Sequence, residues 1–429
     1  LSRVLFNCRF DCAVIGVGSH AINRFRCEMT DSQHSGRRVR ERLLAMSNIY
    51  AGMRRKFGED EAGLRRCAER LLALREGLAP IREQRSDHSL LLATWNIRDF
   101  DGNKFGFGPR KLESLYYLAE VISSFDLVAV QEINRDLRPL QDIMKILGGG
   151  WDYIVTDATE GSSGNNERMA FLFDKDKVFF RKIAGEVVLP EGQTIVSRAD
   201  AALKPGDAPA VERGRQFARS PFLVAFQSGW FKFSLCTVHI FYGSESGAAL
   251  QRRIEEIKRL MAFFAKRQDK EVKDVKEATE EEGGRLGPTQ VENYILLGDF
   301  NVVSPKHETM KALASKGFDV PDAIDGDAVR REDDHYYDQI AVRVKDKRFE
   351  VTGGGIIRPY EHVFRDEDIA VYETDWRAIK DKNPEPGDDQ ADDEAFYRKW
   401  RTWQISDHMP LWVKITTDFA DDYLEKLAQ

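Results

Sequence analysis

The stretch Tyr294-Ile-Leu-Leu-Gly-Asp-Phe-Asn301 constrains the fold of this chain more than any other. Four residues of strand type run into Gly298, and two oxygen-bearing side chains, Asp299 and Asn301, follow at alternate positions. On an extended backbone, side chains two residues apart share a face. A carboxylate and an amide are therefore expected to converge at the mouth of a buried strand. Such a pair suits a hard divalent ion, which takes few protein oxygens and keeps places for water and substrate. A polar turn after a core strand uses the same residue types, so the stretch gains its weight from what accompanies it.

Other strand-like runs end in similar chemistry. The run 90–95 ends in Asn96-Ile97-Arg98, and 126–130 ends in Gln131-Glu132. His239 closes the run 231–240, Asp338 opens 337–342, and Ser406-Asp407-His408 precedes the last run, 409–415. Core strands usually end in generic turn residues. Repeated acids, amides and imidazoles imply that one rim of a sheet gathers them. Helical patterns near 110–124, 136–147, 250–267 and 306–316 lie between the strands, and hairpins are short. This points to α/β layers rather than a simple doubly wound sheet.

The chain has 429 residues, 42% hydrophobic, with a net charge of −7. That length fits one large domain with appendages. The negative charge argues against avid, nonspecific binding along a phosphate backbone, but it permits a local basic groove. Cys8, Cys12, Cys27, Cys67 and Cys236 form no zinc-like spacing, and this usage suggests a reducing, cytoplasmic setting. No apolar run is long enough to span a bilayer.

Residues 1–88 read as an amino-terminal extension. Met29 opens a more ordinary sequence, which sets residues 1–28 apart. Two amphipathic patterns, 38–57 and 61–78, are separated by Gly58-Glu59-Asp60 and followed by Pro80, predicting a helical hairpin over about 38–78. Arginine is dense there, so the arm is either a surface for nucleic acid, a partner or self-association, or an amphipathic pair with solvated charges; the latter is favoured. Insertions are expected near 191–218, 268–290 (charge-dense and exposed) and 356–404 (partly helical, near the active face). Residues 418–429 form a tail.

Taken in order, Trp95-Asn-Ile-Arg-Asp-Phe100, Val130-Gln-Glu132, Asn165-Asn-Glu-Arg-Met-Ala-Phe171, Phe217-Ala-Arg-Ser-Pro221, Thr237-Val-His239, Gly298-Asp-Phe-Asn301, Tyr337-Asp338 and Ser406-Asp-His408 resemble the endonuclease/exonuclease/phosphatase superfamily, above all its deoxyribonuclease I-like branch. The resemblance spans residues 89–417. It implies a four-layer α/β/β/α sandwich and hydrolysis of a phosphate ester by an activated water, assisted by Mg²⁺ or Mn²⁺.

The roles it implies fall on particular residues. Glu132 resembles the principal metal carboxylate, with Asn96 beside it and Asp407 available. Asp299 and Asn301 would hold the attacking water and a nonbridging oxygen. His408 resembles the general base, oriented by Asp338, and His239 the general acid, paired with Glu167. Arg98, Arg219 and Asn165 would face the phosphate. A carboxylate behind each imidazole fixes its tautomer and raises its basicity, which is sound chemistry independently of the resemblance.

Asn165 stands where the branch has a substrate-facing tyrosine, and no cysteine follows Gly298-Asp-Phe-Asn301 as in the secreted enzymes. The expected activity is a phosphodiester hydrolase, first of all an endonuclease on DNA. The alternatives are a phosphoesterase on a phospholipid, inositol phosphate or small nucleotide, and a non-catalytic binding scaffold.

Overall fold

Strand β1 (Ser89–Phe100) is apolar on both faces because both are covered. Leu90 and Leu92 face one hydrophobic cluster, and Leu91, Ala93, Trp95 and Ile97 another. In the computed structural model, which describes residues 50, 52–100, 102–158, 166–195, 214–281, 291–325, 335–382 and 393–428, this strand lies inside a six-stranded sheet. Its order is β10-β11-β1-β2-β4-β3, with β2 Leu127–Ile133, β3 Trp151–Val155, β4 Arg168–Asp174, β10 Val351–Ile356 and β11 Leu411–Thr416. A second sheet has the order β5-β6-β7-β8-β9, comprising β5 Phe179–Glu186, β6 Phe222–Ser228, β7 Phe231–His239, β8 Tyr294–Asp299 and β9 Asp338–Arg343. All the described residues belong to one unit, Ser47–Gln429.

The sheets pack face to face through Leu92, Phe171, Phe226, Phe233, Leu235 and Leu297. Helices α1 (Met53–Phe57), α2 (Glu61–Arg82), α3 (Leu112–Ile122), α4 (Arg138–Leu147), α7 (Glu373–Lys380) and α8 (Asp393–Gln404) share a core with the outer face of the first sheet. Helices α5 (Gly247–Glu281) and α6 (Glu308–Leu313) cover the second. The result is the expected α/β/β/α sandwich. Helix α9 (Ala420–Ala428) follows the last strand, and all its residues are at least partly exposed.

Helix α2 is part of this core. Cys67, Leu71, Leu74 and Leu78 are buried in the same cluster as α3. Its arginines meet buried acids: Arg66 pairs with Glu113, Arg70 with Asp368, and Arg75 and Arg82 with Glu120. Beyond the helix, Arg85 pairs with Asp126 and Asp174. Glu113, Glu120 and Asp126 are all at most 1% exposed. Arg66, Arg70, Arg75 and Arg82 thus serve the packing of α2 on buried acids, while Arg54 and Arg55 of α1 and Arg65 of α2 are exposed, as an amphipathic pair requires.

Several expectations need correction. The hairpin's second helix continues through Pro80 to Arg82. A proline so near the end disturbs little, and Arg82 anchors the last turn on the Glu120 carbonyl and the Ser123 and Ser124 hydroxyls. The first helix is described only over Met53–Phe57; residues 38–49 lie outside the described residues. The insertion near 268–290 is a continuation of α5 as far as Glu281, and Gln268 is buried, bridging the Glu292 and Arg343 carbonyls. Strands β5 and β10 are additional to those expected: β5 is mostly exposed, and β10 carries three consecutive glycines. Neither gives a hydrophobic signal. Residues 187–189, expected as a strand, follow β5 without joining it. No described helix is long and apolar enough to cross a membrane, and Cys67 and Cys236 are buried free thiols.

Candidate active site

Strand direction assembles the site. β1 runs parallel to β2, and β7 parallel to β8, so Asn96, Glu132, His239 and Asp299 all lie at carboxyl ends. β4, β9 and β11 run antiparallel to these neighbours, bringing Glu167, Asp338 and Asp407-His408 to the same edge at their amino ends. In the second sheet His239 is registered against Asp299, and Asp299 against Asp338.

The backbone is bent where the side chains must be aimed. Glu132 has φ 61°, and the β1–β2 and β2–β4 pairings both slip around it. A bulge of this kind re-aims a side chain out of the pleat. Asp99 (φ 42°) and Asn301 (φ 51°) are likewise left-handed, which is costly outside glycine and concentrates at functional sites. Gly298 has φ 133°, and a Cβ there would fall 2.2 Å from the Val238 carbonyl oxygen. Only glycine lets β7 and β8 approach so closely at this point.

Two imidazoles converge on one carboxylate oxygen. His239 Nε2 lies 3.5 Å from Asp299 Oδ2, and His408 Nε2 lies 3.8 Å from the same atom. Behind each ring stands an acid: Glu167 Oε2 is 3.0 Å from His239 Nδ1, and Asp338 Oδ2 is 2.6 Å from His408 Nδ1. Burial opposes charge on His408, but Asp338 and Asp299 outweigh it and raise its pKa well above the usual value. Burial likewise opposes ionisation of Glu167, yet His239 and Arg219 bring its carboxyl down to about 2. Asp299 is also lowered, because His408 and His239 overcome its desolvation. Glu132 is raised, chiefly by burial, with Glu167 and Asp407 adding to the effect against His239.

Asn96 ties the carboxylates together. Its Nδ2 donates to Glu132 Oε1 at 2.9 Å and to Asp299 Oδ2 at 3.1 Å. Its own Oδ1 is sealed from solvent without a hydrogen-bond partner. An orphaned amide oxygen beside two carboxylates is a donor set suited to Mg²⁺ or Mn²⁺, which take one or two carboxylates and keep their remaining waters. Among the described residues, no group of three or more His, Cys, Asp or Glu forms a protein cage for a metal. Asp407 is more exposed, on the rim, and pairs with Arg98 Nη1 at 3.2 Å.

Three expected contacts differ in detail. The chain turns left-handed at Asn301: its side-chain Nδ2 donates to the Ile240 carbonyl at 2.8 Å, while its backbone N–H donates to Asp299 Oδ1 at 2.9 Å. Arg98 is held by Asp407 and Thr402, and its guanidinium lies 3.8 Å from the centroid of the Trp403 ring. Arg219 turns back to Glu167, with Nε 2.7 Å from Oε2. Both arginines thus act first on protein carboxylates. Asn165 lies outside the described residues.

Two supporting groups had no assigned role in the sequence. Ser406 Oγ donates to the Asn96 carbonyl and accepts from the His408 and Arg98 amides, stitching three site residues together. Gln131 Nε2 donates to Thr94 and Thr237, joining the two sheets just beneath the site. Each is sequence-adjacent to a site residue, which was the available signal. A serine or glutamine there nevertheless looks like any turn or strand residue.

This is a carboxylate–imidazole site at one edge of a two-sheet α/β sandwich, a class defined by its geometry. No sequence-family profile and no curated protein matches the chain. Among solved structures, an endonuclease/exonuclease/phosphatase family protein from Bacteroides thetaiotaomicron is 19% identical with a TM-score of 0.41, the match covering 77% of this chain and 98% of that one. The human Nocturnin catalytic domain with bound sulfate is 12% identical, TM-score 0.43, covering 79% and 99%. D. rerio TDP2 complexed with a single-strand DNA product is 12% identical, TM-score 0.40, covering 77% and 99%. Further solved structures that this chain resembles, from Bacteroides vulgatus and Leptotrichia buccalis, are likewise described as endonuclease/exonuclease/phosphatase proteins. At such identities and scores the likeness carries no argument about the reaction.

Proposed function

We propose that this chain is a divalent-metal-assisted phosphoesterase that hydrolyses phosphodiesters, with DNA as the first substrate to be tried. The observation that carries this reading is the pair of carboxylate-backed imidazoles facing Asp299 Oδ2 from 3.5 and 3.8 Å. One imidazole can accept a proton while the other donates one, as an in-line displacement at phosphorus requires.

In the proposed reaction, His408 Nε2 takes a proton from water as its oxygen bonds to phosphorus. The bond to the leaving oxygen breaks, and His239 Nε2 delivers a proton to it. Asp338 and Glu167 hold the two rings with Nδ1 directed away from the reacting atoms. Asp338, with Oδ2 2.6 Å from His408 Nδ1, orients the ring and balances the charge it gains on accepting the proton. Glu132, Asn96 and Asp299 would hold Mg²⁺ or Mn²⁺, with Asp407 at the rim, and the bound ion supplies charge stabilisation at the phosphoryl oxygens.

A smaller phosphoester is the second reading. The pairing of Arg98 with Asp407 and of Arg219 with Glu167 favours it, because neither guanidinium is left facing a long polyanion. Supercoiled plasmid and bis-p-nitrophenyl phosphate, each with Mg²⁺ and with EDTA, separate the two. Plasmid nicking supports a nuclease. Turnover of the small ester alone supports the second reading, and no turnover of either ester overturns both.

A further inference from the structure

Glu256 lies on the buried face of α5, within the apolar stripe of Ile254, Ile257, Leu260, Met261 and Phe264. It is wholly buried. Its Oε1 accepts from the Ala218 backbone N–H at 3.3 Å, and Oε2 is sealed from solvent without a hydrogen bond of good geometry. The groups acting on the carboxylate are the Ala218 and Phe241 amides and the Arg252 and Arg219 guanidiniums. A carboxylic acid inside an apolar stripe weakens the packing it interrupts. What it gains there is a hold on the segment that carries Arg219.

We propose that Glu256 is a positioning residue for the His239 half of the site, fixing the Ala218–Arg219 backbone from beneath so that Arg219 grips Glu167 and Glu167 orients His239. Each link is a contact: hydrogen bonds from the Ala218 amide to Glu256 at 3.3 Å and from Arg219 Nε to Glu167 at 2.7 Å, and an ion-pair approach of Glu167 to His239 Nδ1 at 3.0 Å. Arg219 and Glu167 are themselves largely buried. A shift of the Ala218 amide therefore passes to the ring instead of being absorbed by solvent-exposed side chains. Phe241, at the other end of the Glu256 contacts, follows β7 two residues beyond His239. The same carboxyl thus lies between the segment that carries Arg219 and the chain that leaves β7 after His239. Only the kinetic part of this inference rests on the proposed function.

The test uses the full chain and the variants Glu256→Ala and Glu256→Gln. Ring ¹⁵N spectra of selectively labelled histidine report the His239 tautomer, and a His239→Gln variant assigns the signal. In Glu256→Ala the His239 ring is expected to lose its Nδ1–H pattern and report a mixture of tautomers, while Glu256→Gln, which keeps an acceptor for the Ala218 amide, matches the wild type. On a phosphodiester, kcat should fall about tenfold in Glu256→Ala with KM within about twofold, and recover in Glu256→Gln. If Glu256→Ala does not fold, Glu256→Asp, too short to reach Ala218, should give the same ring spectrum as predicted for alanine. A folded alanine or aspartate variant with an unaltered His239 spectrum overturns the proposal. A wild-type protein inactive on every phosphodiester would refute the function, while the ring spectra would still decide the role of Glu256.

Discussion

Arg82, in the last turn of α2, places Nη2 2.5 Å from Oε1 of Glu120, a carboxylate with no solvent exposure on α3. Arg75 meets the same oxygen at 3.0 Å, and the Tyr50 hydroxyl donates to the other. Removing both arginines leaves a buried charge without cationic partners. That should cost roughly 3–5 kcal/mol, the typical penalty for breaking a buried ion pair from one side. Denaturant unfolding of Arg75→Ala/Arg82→Ala measures it. A loss under about 1 kcal/mol would return α2 to the status of an appendage.

Glu256 makes a pH prediction. Burial raises its carboxyl to about 7, against an ordinary glutamate value of 4.5. The folded state therefore binds this proton more tightly than the unfolded state. The stabilisation is fully present below the unfolded pKa and is lost as pH rises through about 7. The full loss is on the order of 3 kcal/mol. Glu256→Gln cannot ionise, so its Tm relative to wild type should rise between pH 5 and pH 8. A constant difference across that range would contradict the assignment.

The two imidazoles should respond differently to the leaving group. A nitrophenolate leaves with little help from an acid, whereas an alkoxide needs a proton. His239→Ala should therefore lower kcat on an alkyl phosphodiester about 10²–10⁴-fold and on bis-p-nitrophenyl phosphate much less, while His408→Ala lowers both by about 10²–10⁴. Equal losses from His239→Ala on the two esters would remove it from the acid role.

Gly298→Ala should destabilise the fold by more than about 1 kcal/mol, because the position requires positive φ. A Cβ there would meet the Val238 carbonyl at 2.2 Å. Thermal unfolding checks it, and a Tm equal to wild type would mean that β7 and β8 can separate without loss.

Much of this was legible in the sequence because strand-end chemistry survives as local pattern. Asn96, Glu132, His239, Asp299, Asp338 and His408 each stand at or beside a buried run, and the structure places them at one edge. Less legible was anything decided by partners distant in the chain. Arg98 and Arg219 look like free cations until Asp407 and Glu167 come to meet them. The left-handed turn at Asn301 defeats an argument built on extended backbone. Helix α2 reads as a charged arm because the acids that consume its arginines lie tens to hundreds of residues later, at Glu113, Glu120 and Asp368. The strands β5 and β10 have no hydrophobic alternation to announce them, since at the sheet edges only Phe180, Val351 and Ile356 reach the core, and those only partly.

Steady-state turnover of bis-p-nitrophenyl phosphate by wild type and His408→Ala, with Mg²⁺ and again with EDTA, decides whether the paired imidazoles and a divalent ion act on a phosphodiester. Wild-type turnover should be abolished by EDTA and restored by Mg²⁺, and the folded variant should lose about 10²-fold or more in kcat. Turnover that is indifferent to both EDTA and the His408 substitution would contradict it.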